Sequence, residues 1–128
     1  MVKVAFNKHL KKTILVDARG FSLYVFLQDP KGTPTCYNDQ TYHCSKAWPP
    51  LLTAGAPKAG NGVKSSLLGT AKRDDGRLQV TYNGQPLYKD AGSAQFQLVA
   101  DKKPGDVYGQ GYSSFWYVLA PSGKMITH

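Results

Sequence analysis

The sequence predicts a mostly β fold: a single compact domain of short antiparallel strands, sandwich or barrel-like, with an internal pseudo-twofold repeat. Three observations carry that expectation. The chain contains no Glu, a good helix former that is poor in strands, while Val, Thr and Tyr are plentiful. Its 13 Gly and 8 Pro place a turn signal every few residues. A short pattern also occurs twice. Gly20-Phe21-Ser22-Leu23-Tyr24 recurs as Gly84-Gln85-Pro86-Leu87-Tyr88, and each copy is followed at a similar distance by a Trp, in Trp48-Pro49-Pro50-Leu51 and in Trp116-Tyr117-Val118-Leu119. The domain is expected to cover 1–128, with half-repeats 13–52 and 67–127 joined by an Ala/Gly/Pro-rich connector, 53–62. Neither half is large enough to stand comfortably alone.

Taken in order, 13–18 reads as a strand, Arg19-Gly20 as a two-residue turn and 21–26 as the return strand. In that strand Phe21, Leu23 and Val25 share one face and Ser22, Tyr24 and Phe26 the other, so it should be covered on both sides. Residues 28–42 are loop, broken by Pro30, Gly32, Pro34, Asn38 and Asp39. Trp48 to Leu52 is held extended by its prolines. The stretch 65–70 fits either a helical turn or the start of a strand. A second hairpin follows, 70–73 and 78–82 around Asp74-Asp75-Gly76, and Asn83-Gly84 is a strong hairpin-turn pair. An apolar patch at Phe96-Gln97-Leu98-Val99, a Gly-rich loop, a strand over 115–119 and a short last strand over 124–127 complete the chain.

The net charge is +8, from 16 Lys and Arg against 8 Asp. Such an excess attracts anionic partners without choosing among them. Apart from the loose cluster Lys8-His9-Leu10-Lys11-Lys12, no basic run exceeds two residues, so the charge reads as a general surface property and nucleic acid is not an expected partner. No apolar stretch approaches the roughly 20 residues of a membrane span, although peripheral membrane association stays open. The first residues lack the apolar core of an export signal.

Tyr24-Val25-Phe26-Leu27-Gln28-Asp29 matches a Tyr-x-(Phe/Trp/Tyr)-x-x-Asp motif. With Leu15 to Gly20 before it, Trp48 to Leu51 after it, and further stretches at Ser66 to Thr70, Gln79 to Gly84 and Pro104 to Gly111, the chain resembles a bacterial secreted-repeat family of predicted lipoproteins over about residues 2–124. Two departures are visible. The family's cysteines usually lie closer together than Cys36 and Cys44. The second Tyr motif is broken, because Tyr88-Lys89-Asp90 lacks the aromatic, and an apparent insertion over 91–99 separates it from Asp101 to Asp106. The resemblance implies an extracytoplasmic protein, secreted, periplasmic or attached at the cell surface, whose export signal lies outside this chain. It implies no known enzymatic activity.

In an oxidising compartment Cys36 and Cys44 are expected to form a disulfide. The sharper alternative, a metal site of Cys36, His43 and Cys44 with Asp39, is disfavoured: adjacent His43 and Cys44 point opposite ways in an extended chain, and no second ligand pair exists. No metal and no cofactor is therefore expected. No catalytic residues are assigned either, for there is no Gly-x-Ser-x-Gly elbow, phosphate loop or His-Glu-x-x-His. The motif residues Tyr24, Phe26 and Asp29 fit packing and loop capping better than ligand contact. In the ligand reading, Tyr24, Phe26, Trp48, Tyr88 and Trp116 line an aromatic groove between the half-repeats. Tyr108, Tyr112 and Tyr117, set among glycines and serines, form the most plausible recognition surface. The expected function is a non-enzymatic interaction module of the cell envelope, an accessory subunit for an envelope protein or an anionic envelope component. The alternative is a small-ligand or cofactor-binding protein that uses the aromatic groove.

Overall fold

β1 (Val2–Asn7) and β2 (Lys12–Asp17) form an antiparallel hairpin in register from Val2 opposite Asp17 to Asn7 opposite Lys12, in a computed structural model that describes residues 1–37 and 43–127. β1 has no counterpart among the elements expected from the sequence, although Val2, Val4 and Phe6 alternate as a strand requires. Only its two ends are deeply buried: Val2 is fully enclosed and the polar Asn7 is buried at the other end, while Phe6 is 64% exposed. Such a weak alternation loses its signal next to the lysines.

The turn after β2 holds three residues, 18–20, one more than expected. The Asp17 side chain explains the difference. Its Oδ1 accepts the Arg19 and Phe21 N–H groups at 2.9 and 3.0 Å, while its backbone carbonyl accepts the Gly20 N–H at 3.0 Å. Gly20 takes a φ of 91°, which only glycine adopts freely. The chain returns as β3 (Tyr24–Phe26), which lies between two cores. Leu23 and Val25 enter a cluster with Leu15, Val80, Tyr82, Leu87 and Leu119; Tyr24 enters the other, with Trp48, Tyr88, Trp116 and Val118.

One helical turn, α1 (Cys44–Ala47), precedes the extended Trp48 to Leu51 stretch and β4 (Leu52–Thr53). The ambiguous segment at 65–70 takes both forms: a 3-10 turn at Ser65–Leu67, then β5 (Leu68–Lys72). β5 and β6 (Leu78–Tyr82) make the second hairpin, and Asn83 and Gly84, at φ 54° and 77°, turn the chain into β7 (Gln85–Pro86). Positive φ at both central residues is the geometry that twists with flanking strands. β8 (Trp116–Val118) pairs antiparallel with β3, and the expected last strand is reduced to an isolated bridge between Leu119 and Met125.

The fold is thus mostly β and antiparallel, in ladders β1–β2, β3–β8 and β4–β6–β5 with β7 beside β6. They do not close into a barrel. The two copies of the Gly-x-x-Leu-Tyr pattern lie against one another at the centre. The Tyr24 N–H donates to the Tyr88 carbonyl at 2.8 Å, and the Tyr88 N–H donates to the Tyr24 carbonyl at 2.8 Å. Each copy follows a hairpin, β1–β2 in one case and β5–β6 in the other.

Candidate functional site

The chain's two tryptophans meet where these copies meet. Trp48 and Trp116 stack with ring centroids 4.0 Å apart and planes 3° from parallel. Tyr24 sets its edge on Trp48 and Tyr88 sets its edge on Trp116, both at 5.2 Å. Phe26 stacks on Trp116 at 4.4 Å, and Phe115 stands edge-on to Phe26 at 6.1 Å. Offset and edge-to-face pairs of this kind add about 0.5–1.5 kcal/mol each beyond area burial.

Beneath the rings, the tyrosine hydroxyls cross between halves. Tyr24 donates to Asp101 Oδ2 at 2.6 Å, and Tyr88 donates to Asp29 Oδ2 at 2.8 Å. Asp101 lies just past the stretch 91–99 that separates the broken second motif from Asp101 to Asp106. The apparent insertion, 91–99, makes a small excursion, bridged between Ser93 and Leu98 and closed at its base where the Asp101 N–H donates to the Asp90 carbonyl at 3.2 Å. It therefore delivers Asp101 to the tyrosine despite the lengthened spacing. Asp29 also accepts the Thr35 N–H at 2.8 Å, so it caps the loop that follows it.

The carboxyls here are costly to ionise. Burial, aided by the charge of Asp101, pushes Asp90 up to about 7. Burial raises Asp101 to about 6, against the bonds from the Tyr24 hydroxyl and the Tyr108 N–H that favour its ionised form, with Asp106 raising it further. Asp29 is raised by burial too, and Tyr24 and Tyr88 are pushed above the usual phenol range by burial and then by their carboxylate partners. Asp90 Oδ2 is buried without a hydrogen-bond partner, a lesser penalty for a neutral acid than for a carboxylate.

Above the rings is a cleft of about 260 Å³, floored by Trp48 and Trp116 and walled by Phe26, Phe96, Tyr112 and Phe115, with Gln28 and Ser113 as its polar points. α1 supplies one side through Cys44 and Ala47. The volume lies just below the roughly 300–1,000 Å³ of most small-molecule sites, so it suits one flat ring system. The walls are held deliberately. Tyr112 donates its hydroxyl to the Phe96 carbonyl at 2.6 Å, tying the insertion to the Gly-rich loop. Gln97, Ser113 and Ser114, which flank the wall residues, sit at φ 56°, 54° and 62°. Left-handed backbone at non-glycine residues stores strain of about 1 kcal/mol or more each and gathers at ligand sites.

Cys36 and Cys44 form a disulfide, which holds the start of α1. With both sulfurs bonded to each other, neither serves as a thiolate ligand, so the Cys36, His43, Cys44 metal reading falls away. Asp39 and His128 lie outside the described residues. The buried Arg73 secures the loop from the other side: it donates to the Cys36 carbonyl at 2.7 Å and to Gln79 Oε1 at 2.7 Å, and lies over the Tyr37 ring.

The residues singled out from the sequence separate into three groups. Trp48, Trp116, Phe26 and Tyr112 gather at the cleft. Tyr24, Asp29 and Tyr88 are beneath it; Tyr88 is fully buried, so it is corrected from a groove-lining binding residue to a core residue whose hydroxyl is committed to Asp29. Trp48 and Trp116 are each 3% exposed and act as floor rather than projecting surface. Tyr108 is 59% exposed and does not line the cleft, and the Tyr117 hydroxyl donates to the Ser114 carbonyl at 3.1 Å. Phe96, Phe115, Gln28 and Asp90 were not assigned to a site. The aromatic at each of the first two positions was the only local signal, and nothing in sequence shows that they face one another.

No family model, no curated protein and no solved structure matches this chain.

Proposed function

We propose that the protein is a non-enzymatic binding module of the bacterial cell envelope, working outside the cytoplasm, which holds a flat apolar group in the cleft between its two halves. The cleft carries the reading: six aromatic residues around one concave space, with strained backbone maintained at its walls. The Cys36–Cys44 disulfide and the resemblance of the Tyr24 to Asp29 motif to secreted repeats support the compartment. The paired hairpins and the exchanged Tyr24 and Tyr88 bonds support an origin by duplication, with the ligand site at the seam.

A second reading, an accessory subunit that docks on a larger envelope complex, is favoured by the cleft's rim. Leu27, 49% exposed, donates its N–H to the carbonyl of the exposed Phe115, which extends the apolar surface beyond the cleft.

The sequence's 2 Trp both floor the cleft, so tryptophan emission reports occupancy directly. The test is affinity capture from native envelope material at low and high salt, with wild type and Phe115→Ser in parallel. A captured component that shifts the emission and is lost with Phe115→Ser supports the reading. Capture that survives Phe115→Ser and leaves the emission unmoved overturns it.

A further inference from the structure

A second cleft, of about 310 Å³, adjoins the aromatic one. The two share Ala47 of α1. Cys44 and Ala47 of that helix line the aromatic cleft, and Lys46 and Ala47, with His43, line the second together with Ser93 and Gln95 of the 91–99 stretch. The insertion is common to both as well, contributing Gln95 to the polar cleft and the next residue, Phe96, to the aromatic one. No carboxylate lines either cleft among the described residues, and Lys46 brings a cation to a protein already carrying +8.

We infer that the adjoining clefts together bind a small aromatic anion, its ring against Phe96, Tyr112 and Trp116 and its carboxylate, sulfonate or phosphate group toward Lys46. This rests on the aromatic-cleft reading above and names the chemistry of the occupant. An aromatic cage of this kind attracts cations in other settings through the ring faces. Here a cation would meet Lys46, with no carboxylate among the described lining residues to offset it, whereas an anion gains from Lys46 and from the surrounding field. Ser93 and Gln95 supply neutral donors that complete the solvation of an anionic head.

The probes are 1-naphthalenesulfonate, 1-naphthalenemethanol and trimethyl(1-naphthylmethyl)ammonium, which share a ring and differ in charge. Binding is measured by titration calorimetry at low and high salt, and the Trp48 and Trp116 indole N–H signals in nitrogen-15 spectra locate it. The sulfonate is expected to bind one to one, to move both indole signals, and to bind about two- to fivefold more tightly than the alcohol, the range of one exposed charge pair. Lys46→Gln and high salt should each close that gap, while Lys46→Arg retains it. Equal affinity of sulfonate and alcohol, with no effect of Lys46→Gln, overturns the inference but leaves the cleft reading standing. Tightest binding by the ammonium overturns it in favour of a cation cage. If no probe moves either indole signal, the inference and the cleft reading fall together.

Discussion

Tyr24→Phe removes a single oxygen from the core, and its cost should depend on pH. The hydroxyl donates to Asp101 Oδ2 at 2.6 Å and accepts the Gly109 N–H at 3.2 Å. At pH 8 Asp101, held at about 6, is ionised, so the lost bond is charge-assisted and contributes roughly 1.5–3 kcal/mol. The stranded Gly109 N–H adds about 1 kcal/mol. The expected loss at pH 8 is therefore about 3 kcal/mol. At pH 5 Asp101 is mostly protonated, its bond to tyrosine is between neutral groups, and the loss falls to about 2 kcal/mol. Linkage gives the same sign. The folded-state pKa of Asp101 is raised, so its contribution to stability is complete below the unfolded value of about 3.9 and is lost as pH rises through about 6. Taking away the tyrosine bond removes an interaction that favours the ionised form, raises the folded pKa further and steepens that loss. Urea unfolding at pH 5 and pH 8, followed by tryptophan emission, measures both costs. Tyr82→Phe is the control: its hydroxyl donates to the Pro121 carbonyl at 2.6 Å and accepts the Lys64 N–H at 3.0 Å, with no carboxylate involved. It should cost about 1–2 kcal/mol equally at both pH values. A Tyr24→Phe cost that is unchanged by pH would refute the reasoning.

Three further outcomes are expected. Asp90→Asn should stabilise the protein above pH 7 by on the order of 1–3 kcal/mol and have little effect near pH 4, because it removes a buried acid held at about 7 while keeping an acceptor for the Gly92 N–H; thermal melts at the two pH values check this. Gly109→Ala should cost about 1–3 kcal/mol by overpacking and should perturb the near-ultraviolet dichroism of the stacked indoles, since the new methyl would lie 2.5 Å from Trp48 Cη2; an unchanged melting temperature would show that the ring moves freely. Reducing the Cys36–Cys44 disulfide, which spans a sequence separation of 8, should cost roughly 2–3 kcal/mol in the chain-entropy model and loosen α1 from the cleft, which paired melts with and without reductant would reveal.

The fold class was legible because its causes are local. Absent Glu, frequent turn residues and the Asn83-Gly84 pair each act within a few residues. The β5–β6 hairpin and the two-sided burial of the strand through Leu23, Tyr24 and Val25 could be read from alternation alone. β1 was not legible, since much of its side-chain surface stays exposed and only its ends, Val2 and the polar Asn7, are deeply buried. The site was half legible. The Tyr motif and the two Trp stretches pointed to a seam between halves, but not to which rings floor the cleft and which disappear beneath it. Tyr24, Tyr88, Trp48 and Trp116 look alike in sequence; their different roles arise only when each tyrosine finds a carboxylate from the other half. Asp101 was hidden by the insertion, which changes the spacing along the chain while the excursion returns to its own base and leaves the spacing in space intact.

The crossed tyrosine bonds also govern when this chain can fold. Tyr24 waits for an acid 77 residues later, and Asp29 waits for a phenol 59 residues later. A first half newly released from a ribosome or a translocation pore has neither, and Trp48 has no second indole to lie on. Its interior would leave polar groups unanswered, so commitment is deferred until the second half has emerged. If the chain is exported, as proposed above, such lateness keeps the strand threadable during transit and makes closure a single concerted event on the far side.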